Sequence, residues 1–133
     1  MGKHISDNLH SCCHVMSSDE DQPIVMDIYV GFTMRNELAI SVDLHDYDEP
    51  WYNASTAAIV NVDDAQRMAK RHKIKYENLP RFISECMEEW REIINPNFEQ
   101  VKNCFKEITE CLLDERCQFR IERTYGAHGY MCC

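Results

Sequence analysis

Hydrophobic and polar residues alternate along two neighbouring segments in the first half of the chain. Apolar side chains occupy every second position from Ile24 to Met34, and again from Leu38 to Leu44. An alternation with a period of two places one set of side chains on each face of a β-strand. Because only a short turn at positions 35–36 separates the segments, the pattern predicts an antiparallel hairpin with one apolar face.

A period of three to four residues appears later in the chain and indicates helices. It marks a short segment from Asp63 to about Lys73 and two longer ones, from about Leu79 to Ile93 and from Phe98 to about Glu115. Each longer segment has an apolar stripe along one side, which is typical of an amphipathic helix packed on a sheet. Asp63 and Gln66 have the spacing of a capping box, so we expect the first helix to begin there.

Two shorter apolar segments, at positions 57–62 and 117–121, predict further strands before and after the helices. The predicted element order is βββαααβ. Strands that are grouped together and followed by helices favour an α+β fold. We therefore expect one domain at residues 24–125, with a mainly antiparallel sheet covered on one face by the two longer amphipathic helices.

The two ends of the chain show no hydrophobic periodicity. Residues 1–23 are mostly polar and close with an acidic run and a proline, which predicts a disordered polar tail, and residues 126–133 are predicted as a C-terminal tail. An alternative is a zinc site shared by both ends, although neither has the Cys-x2-Cys spacing of a zinc ribbon. The candidate ligands are His10, Cys12, Cys13, His14, His128, Cys132 and Cys133.

The eight cysteines raise the question of the redox compartment. No apolar segment has the length of a secretory signal or of a membrane span, which favours a cytoplasmic protein with free thiols. The first residues match an N-myristoylation pattern at Gly2, but the acidic run that follows offers none of the polybasic support that lipid anchors use. We therefore expect no membrane partner.

Charge is distributed unevenly along the chain. The formal net charge is −9, and residues 1–62 contribute −8 of it, with two basic and ten acidic residues. An acidic surface repels nucleic-acid phosphates and attracts basic proteins. The distribution therefore disfavours a nucleic-acid partner and favours a basic protein partner.

The richest polar stretch follows the second predicted strand, between positions 43 and 52. It combines carboxylates, an imidazole and aromatic rings, and aromatic residues ringed by charge are typical of binding hot spots. We predict a small acidic interaction protein, of an inhibitor, immunity-type or regulatory kind, which engages a basic partner through this stretch. The predicted partner-binding residues are Asp43, His45, Asp46, Asp48, Glu49, Trp51 and Tyr52. The sequence identifies neither a cofactor nor an oligomeric state.

A first alternative function is a small metal-dependent hydrolase. In that hypothesis Asp43, His45, Asp46 and Asp48 supply hard oxygen ligands and one imidazole to a divalent cation. The Asp-x-His step that begins at position 43 is similar to the opening motif of metallophosphoesterases. The downstream Gly-Asp and Gly-Asn-His motifs of that family do not occur in this chain.

A second alternative is DNA binding through residues 67–82. Five of the nine residues at positions 67–75 are formally cationic, and the apolar spacing that follows resembles a helix-turn-helix. Pro80 would stand inside the recognition helix, and a net acidic chain loses electrostatic affinity for DNA. Acidic residues at the start and cationic residues at the end also suit the dipole of any exposed helix.

Overall fold

Five antiparallel strands form a single sheet in the computed structural model, which describes residues 4–49 and 52–125. The strands are β1 (His10–Ser17), β2 (Ile24–Phe32), β3 (Leu38–Asp46), β4 (Ala54–Val60) and β5 (Phe119–Tyr125), and they lie side by side in chain order. Three helices pack against the sheet: α1 (Val62–Arg71), α2 (Leu79–Cys86) and α3 (Phe98–Asp114). Short 3₁₀ helices span Ile5–Asn8, Tyr76–Asn78 and Glu88–Glu92. This architecture confirms the predicted α+β fold.

The register between β2 and β3 determines how the two faces of the sheet are used. Ile28 lies opposite Val42, and Val30 lies opposite Ile40. Directly opposed residues share a face, so the alternating apolar residues of both strands point to the same side. Helices α2 and α3 pack on that side, which we call the core face. Its fully buried residues and their helical partners include Val15, Ile28, Val30, Leu38, Ile40, Val60, Leu79, Val101, Ile108 and Leu112.

The opposite side of the sheet, which we call the outer face, is partly covered by residues 5–9. Ile5 and Leu9 pack against a small apolar cluster there, formed by Ala39, Ala57 and Ile59. The N-terminal segment passes close to β2 at Gly31. A Cβ atom added to Gly31 would lie 3.1 Å from Leu9 Cβ and 3.1 Å from the His10 carbonyl oxygen. The N-terminal residues therefore pack as a part of the domain.

Strand β1 corrects the sequence prediction, because His10–Ser17 form an edge strand within the region predicted as a disordered tail (residues 1–23). The pairing of β1 with β2 shifts register twice. As a result, the consecutive residues Val15 and Met16 are both buried, and β1 has no regular alternation for a sequence pattern to reveal. Four strands, rather than three, precede the helices. The predicted C-terminal tail at residues 126–133 lies outside the described residues.

The helices begin and end at positions that differ from the sequence prediction. Asn61, rather than Asp63, caps α1, because its side-chain oxygen accepts the N–H of Asp64 at 2.8 Å. Helix α2 ends at Cys86, and the chain continues as the 3₁₀ helix Glu88–Glu92. Within residues 4–49 and 52–125, no helix has the length and apolar character needed to cross a bilayer.

Replacing Ile28 by Ala is expected to lower the free energy of unfolding by about 3 kcal/mol, because it leaves a cavity in the core. Ile28 in β2 is 0% exposed, whereas Ile121 in β5 is 41% exposed. The matched Ile121→Ala change should therefore cost less than about 1 kcal/mol. Urea unfolding of the two variants measures the difference, and equal losses would show that the core face is assigned wrongly.

Candidate functional site

Asp43 points to the outer face of the sheet from β3. Its side chain is nevertheless buried, with only 2% of the residue exposed. The hydroxyls of Ser41 and Ser55 each donate to Asp43 Oδ1 at 2.6 Å, and the hydroxyl of Ser6 donates to Oδ2. A buried carboxylate is tolerated when hydrogen-bond donors surround it in this way. The prediction that Asp43 belongs to a partner-binding surface is therefore wrong, and its role is structural.

The N-terminal residues connect this buried carboxylate to the predicted binding stretch. The backbone N–H of Ile5 donates to Ser55 Oγ at 3.1 Å, and His4 Nε2 donates to the carbonyl oxygen of Leu44 at 2.9 Å. The rings of His4 and His45 also pack together, with their centroids 4.7 Å apart. These contacts hold the end of β3, from which the binding stretch leaves the sheet.

Between β3 and β4 lies the segment that we call the acidic-aromatic loop, residues 46–52, of which the structure describes 46–49 and 52. Asp46 Oδ1 accepts the N–H groups of Asp48 at 3.1 Å and Glu49 at 3.0 Å. An aspartate that binds N–H groups ahead of it in this way stabilises a turn. At the other side of the loop, the N–H of Asp46 donates to Asn53 Oδ1 at 2.8 Å. The side chain of Asp46 therefore stabilises the backbone turn at residues 46–49.

Two tyrosines project from the acidic-aromatic loop: Tyr47 is 62% exposed and Tyr52 is 60% exposed. The N–H of Tyr47 donates to the carbonyl oxygen of Pro23 at 2.9 Å, and its ring packs on His45 with centroids 4.8 Å apart. The N–H of Tyr52 donates to the carbonyl oxygen of Glu49 at 2.9 Å. Both aromatic side chains are thus displayed from a hydrogen-bonded backbone.

Two exposed carboxylates, those of Asp48 and Glu49, accompany the tyrosines. Neither forms an ion pair with any residue that the structure describes. The loop therefore presents negative charge directly beside exposed aromatic area. Trp51, which the sequence analysis also predicts as a partner-binding residue, lies outside the described residues and stays a prediction.

The predicted metal ligands have separate hydrogen-bonding roles. The oxygens of Asp43 accept serine hydroxyls, and Asp46 Oδ1 accepts backbone N–H groups. Across residues 4–49 and 52–125, no group of three or more His, Cys, Asp or Glu side chains is arranged to hold a metal ion. This geometry gives no support to the metal-dependent hydrolase. The C-terminal ligands of the alternative zinc site lie outside the described residues.

Both arginines of α1 are engaged with neighbouring carboxylates. Arg67 Nη1 lies 2.8 Å from Asp64 Oδ1, and Arg71 Nη1 lies 2.7 Å from Glu115 Oε1. A recognition helix reads bases with the residues of its N-terminal turn, but Leu79 and Pro80 at the start of α2 are buried. The geometry therefore gives no support to DNA binding through residues 67–82.

The cysteines in α2 and α3, and Cys117 between α3 and β5, do not have the environment of an activated nucleophile. Desolvation by burial raises the pKa of the Cys104 thiol to about 12. It is also the largest cause of the raised pKa values of Cys86, Cys111 and Cys117. A reactive cysteine needs a lowered pKa, because the thiolate is the nucleophile. These thiols are therefore protonated at neutral pH.

Comparisons with protein-family models, curated proteins and solved structures find no match. The geometry of the acidic-aromatic loop is consequently the basis for a proposed function. Of the residues predicted to bind a partner, the structure brings together those that lie in the loop or directly beside it. These residues are His45, Asp46, Asp48, Glu49 and Tyr52.

Tyr47 and the serines around Asp43 were not among the predicted site residues. The period of two could have revealed Ser41 and Tyr47, because they lie at every second position of one segment with Asp43 and His45, whereas Ser6 and Ser55 are distant along the chain. In the structure, one end of this series is buried on the outer face and the other end is exposed in the loop. The pattern alone does not show where burial ends.

Asp43→Ala is expected to lower the free energy of unfolding by about 2 kcal/mol, because it leaves serine hydroxyls that have lost their acceptor. The exposed Asp48 serves as the matched control, since Asp48→Ala should change stability by less than about 0.5 kcal/mol. Urea denaturation of both variants provides the comparison. A negligible loss for Asp43→Ala would contradict the structural role of this carboxylate.

Proposed function

We propose that this chain is a small acidic interaction protein, of an inhibitor, immunity-type or regulatory kind, that binds a basic partner through the acidic-aromatic loop. The observation that carries the proposal is the exposure of Tyr47 and Tyr52 on a hydrogen-bonded loop. Tyrosine supplies a large contact area at a low cost in side-chain entropy, and it is enriched among the residues that dominate binding energy.

Preorganisation of the loop supports this proposal. The N–H of Tyr47 is hydrogen-bonded to the carbonyl oxygen of Pro23, and its ring packs on His45. The side chain of Asp46 accepts the N–H groups of Asp48 and Glu49. Ordering a loop on binding would consume part of the interaction free energy, and the hydrogen-bonded backbone of residues 47–49 reduces that cost. Exposed aromatic residues in such a loop can therefore contribute efficiently to affinity.

The charge of the loop supports a basic partner. Asp48 and Glu49 stand beside the aromatic residues, in the half of the chain that contributes −8 to the net charge. Uncompensated surface charge of one sign accelerates the approach of a partner with the opposite sign and discourages partners of the same sign. The two kinds of residue thus have separable effects, one on association and the other on dissociation.

A selection of random peptides displayed on phage tests the proposal even while the natural partner is unidentified. Wild-type protein is the bait. Peptides that also bind a variant with both Tyr47→Ala and Tyr52→Ala are discarded, because they bind outside the acidic-aromatic loop. We expect the enriched peptides to carry a net positive charge. Failure to enrich basic peptides, or enrichment of peptides that the double variant still binds equally, would contradict the proposal.

Binding kinetics of an enriched peptide then separate charge from contact area. Asp48→Asn combined with Glu49→Gln should slow association several-fold at low salt and flatten its salt dependence, because surface charges are screened beyond about 10 Å at 0.1 M salt. Tyr47→Ala should instead accelerate dissociation by about thirtyfold, which corresponds to about 2 kcal/mol.

Two matched controls lie at the opposite end of the sheet. Asp63→Asn combined with Glu77→Gln removes the same amount of exposed charge, and Met34→Ala truncates a turn residue that is even more exposed than Tyr47. Neither control should change the rate constants of the peptide. Equal effects of the loop variants and the controls would show that the peptide responds to net charge or exposed apolar area in general.

A further inference from the structure

A groove of about 450 Å³ opens beside the acidic-aromatic loop, between the β1–β2 turn and the start of α3. Its apolar lining includes Pro23, Ile24, Pro96 and Phe98. The groove is continuous with the loop, because the carbonyl oxygen of Pro23 accepts the N–H of Tyr47. Ile24 also pairs with the first residue of the loop across the β2–β3 ladder. A partner bound at the loop therefore reaches the groove directly.

The walls of the groove are fixed by backbone hydrogen bonds. The N–H of Asp19 donates to the carbonyl oxygen of Pro96 at 3.0 Å, which joins the two walls. Asn97 and Gln100 form a reciprocal capping box at the start of α3, with N···O distances of 2.8 and 2.9 Å. Phe98 in the first turn of α3 remains 38% exposed. The groove is thus a formed feature with an accessible aromatic ring.

Asp19 is the one charged side chain among the described residues that line the groove. Its Oδ1 accepts the N–H of Asp21, and its Oδ2 accepts Gln22 Nε2 at 3.3 Å. It forms no ion pair with a described residue. Each carboxylate oxygen can accept more than one hydrogen bond, so Asp19 retains acceptor capacity for a ligand. Glu20, Asp21 and Glu99 add negative charge around the groove.

We infer that the groove receives an arginine side chain of the basic partner, an inference that rests on the proposed function. The aliphatic stem of arginine packs on apolar surface while its charged head stays hydrated. The prolines of the groove provide apolar surface for the stem, and the open side of the groove leaves the head accessible to water. The planar guanidinium stacks on an aromatic ring and donates to a carboxylate, and here Phe98 and Asp19 supply both groups. Lysine lacks the planar fork and is expected to bind less tightly.

An NMR titration with a defined probe tests this inference. The acetylated and amidated tripeptide Gly-Arg-Gly is added to the isotopically labelled chain, and the same tripeptide with citrulline or lysine in the centre is the comparison. Citrulline preserves the shape of arginine without its charge. Amide shifts should concentrate at residues 18–24 and 95–98, and the citrulline tripeptide should bind about fivefold more weakly.

Variants of the groove complete the test. Asp19→Asn keeps the hydrogen bond to the N–H of Asp21 but removes the charge, so it should weaken the arginine tripeptide about fivefold and leave the citrulline tripeptide unchanged. Asp21→Asn is the matched control, because Asp21 is a neighbouring exposed carboxylate that does not line the groove. Phe98→Leu, which keeps apolar bulk without the aromatic face, should also weaken the arginine tripeptide.

The inference is overturned if the arginine and citrulline tripeptides bind equally, if lysine equals arginine, or if the shifts appear elsewhere or not at all. Its failure is distinguishable from that of the proposed function. Tyr47→Ala should leave tripeptide binding unchanged while it accelerates the dissociation of the selected peptides. If those peptides depend on the loop and the tripeptide fails, only the groove assignment falls. If the tripeptide binds and no basic peptide is selected, only the loop proposal falls.

Discussion

The fixed register between β2 and β3 is the constraint on which the rest of the structure depends. Residues of a strand alternate between two faces, so a single register places Ile28 and Val30 of β2 and Ile40 of β3 together toward α2 and α3. The same register necessarily places Asp27, Tyr29, Ser41 and Asp43 on the outer face. A shift by one residue would exchange the two sets, exposing the core and burying several unpaired polar groups.

The outer face shows how the domain accommodates that constraint. The carboxylate of Asp43 accepts hydroxyl hydrogen bonds from strands β3 and β4 and from Ser6, so the N-terminal residues become part of the folded domain. Those residues also bind Leu44 and pack on His45 at the end of β3. Asp43 and the exposed acidic-aromatic loop therefore lie along one continuous segment of chain, and the residues around Asp43 come from three separate parts of it.

Strict periodicity explains which parts of the fold could be predicted from the sequence. The hairpin of β2 and β3 and the long helix α3 have regular hydrophobic patterns. Strand β1 has none, because its pairing with β2 is irregular and the consecutive residues Val15 and Met16 are both buried. The candidate site was proposed from the concentration of carboxylates and aromatic residues at positions 43–52. Sequence could not show that Asp43 is buried, since that depends on Ser6 and Ser55, which are distant along the chain.

The proposed function depends most directly on residues 47–49 of the acidic-aromatic loop being hydrogen-bonded before a partner binds. Amide hydrogen exchange of the free protein, corrected for local sequence, measures this. Tyr47, Asp48 and Glu49 donate hydrogen bonds, whereas the described residues provide no acceptor for the N–H of Met34 in the β2–β3 turn. We predict that the three loop amides exchange at least about tenfold more slowly than that of Met34. Exchange of all four at the same unprotected rate would contradict a preformed binding surface.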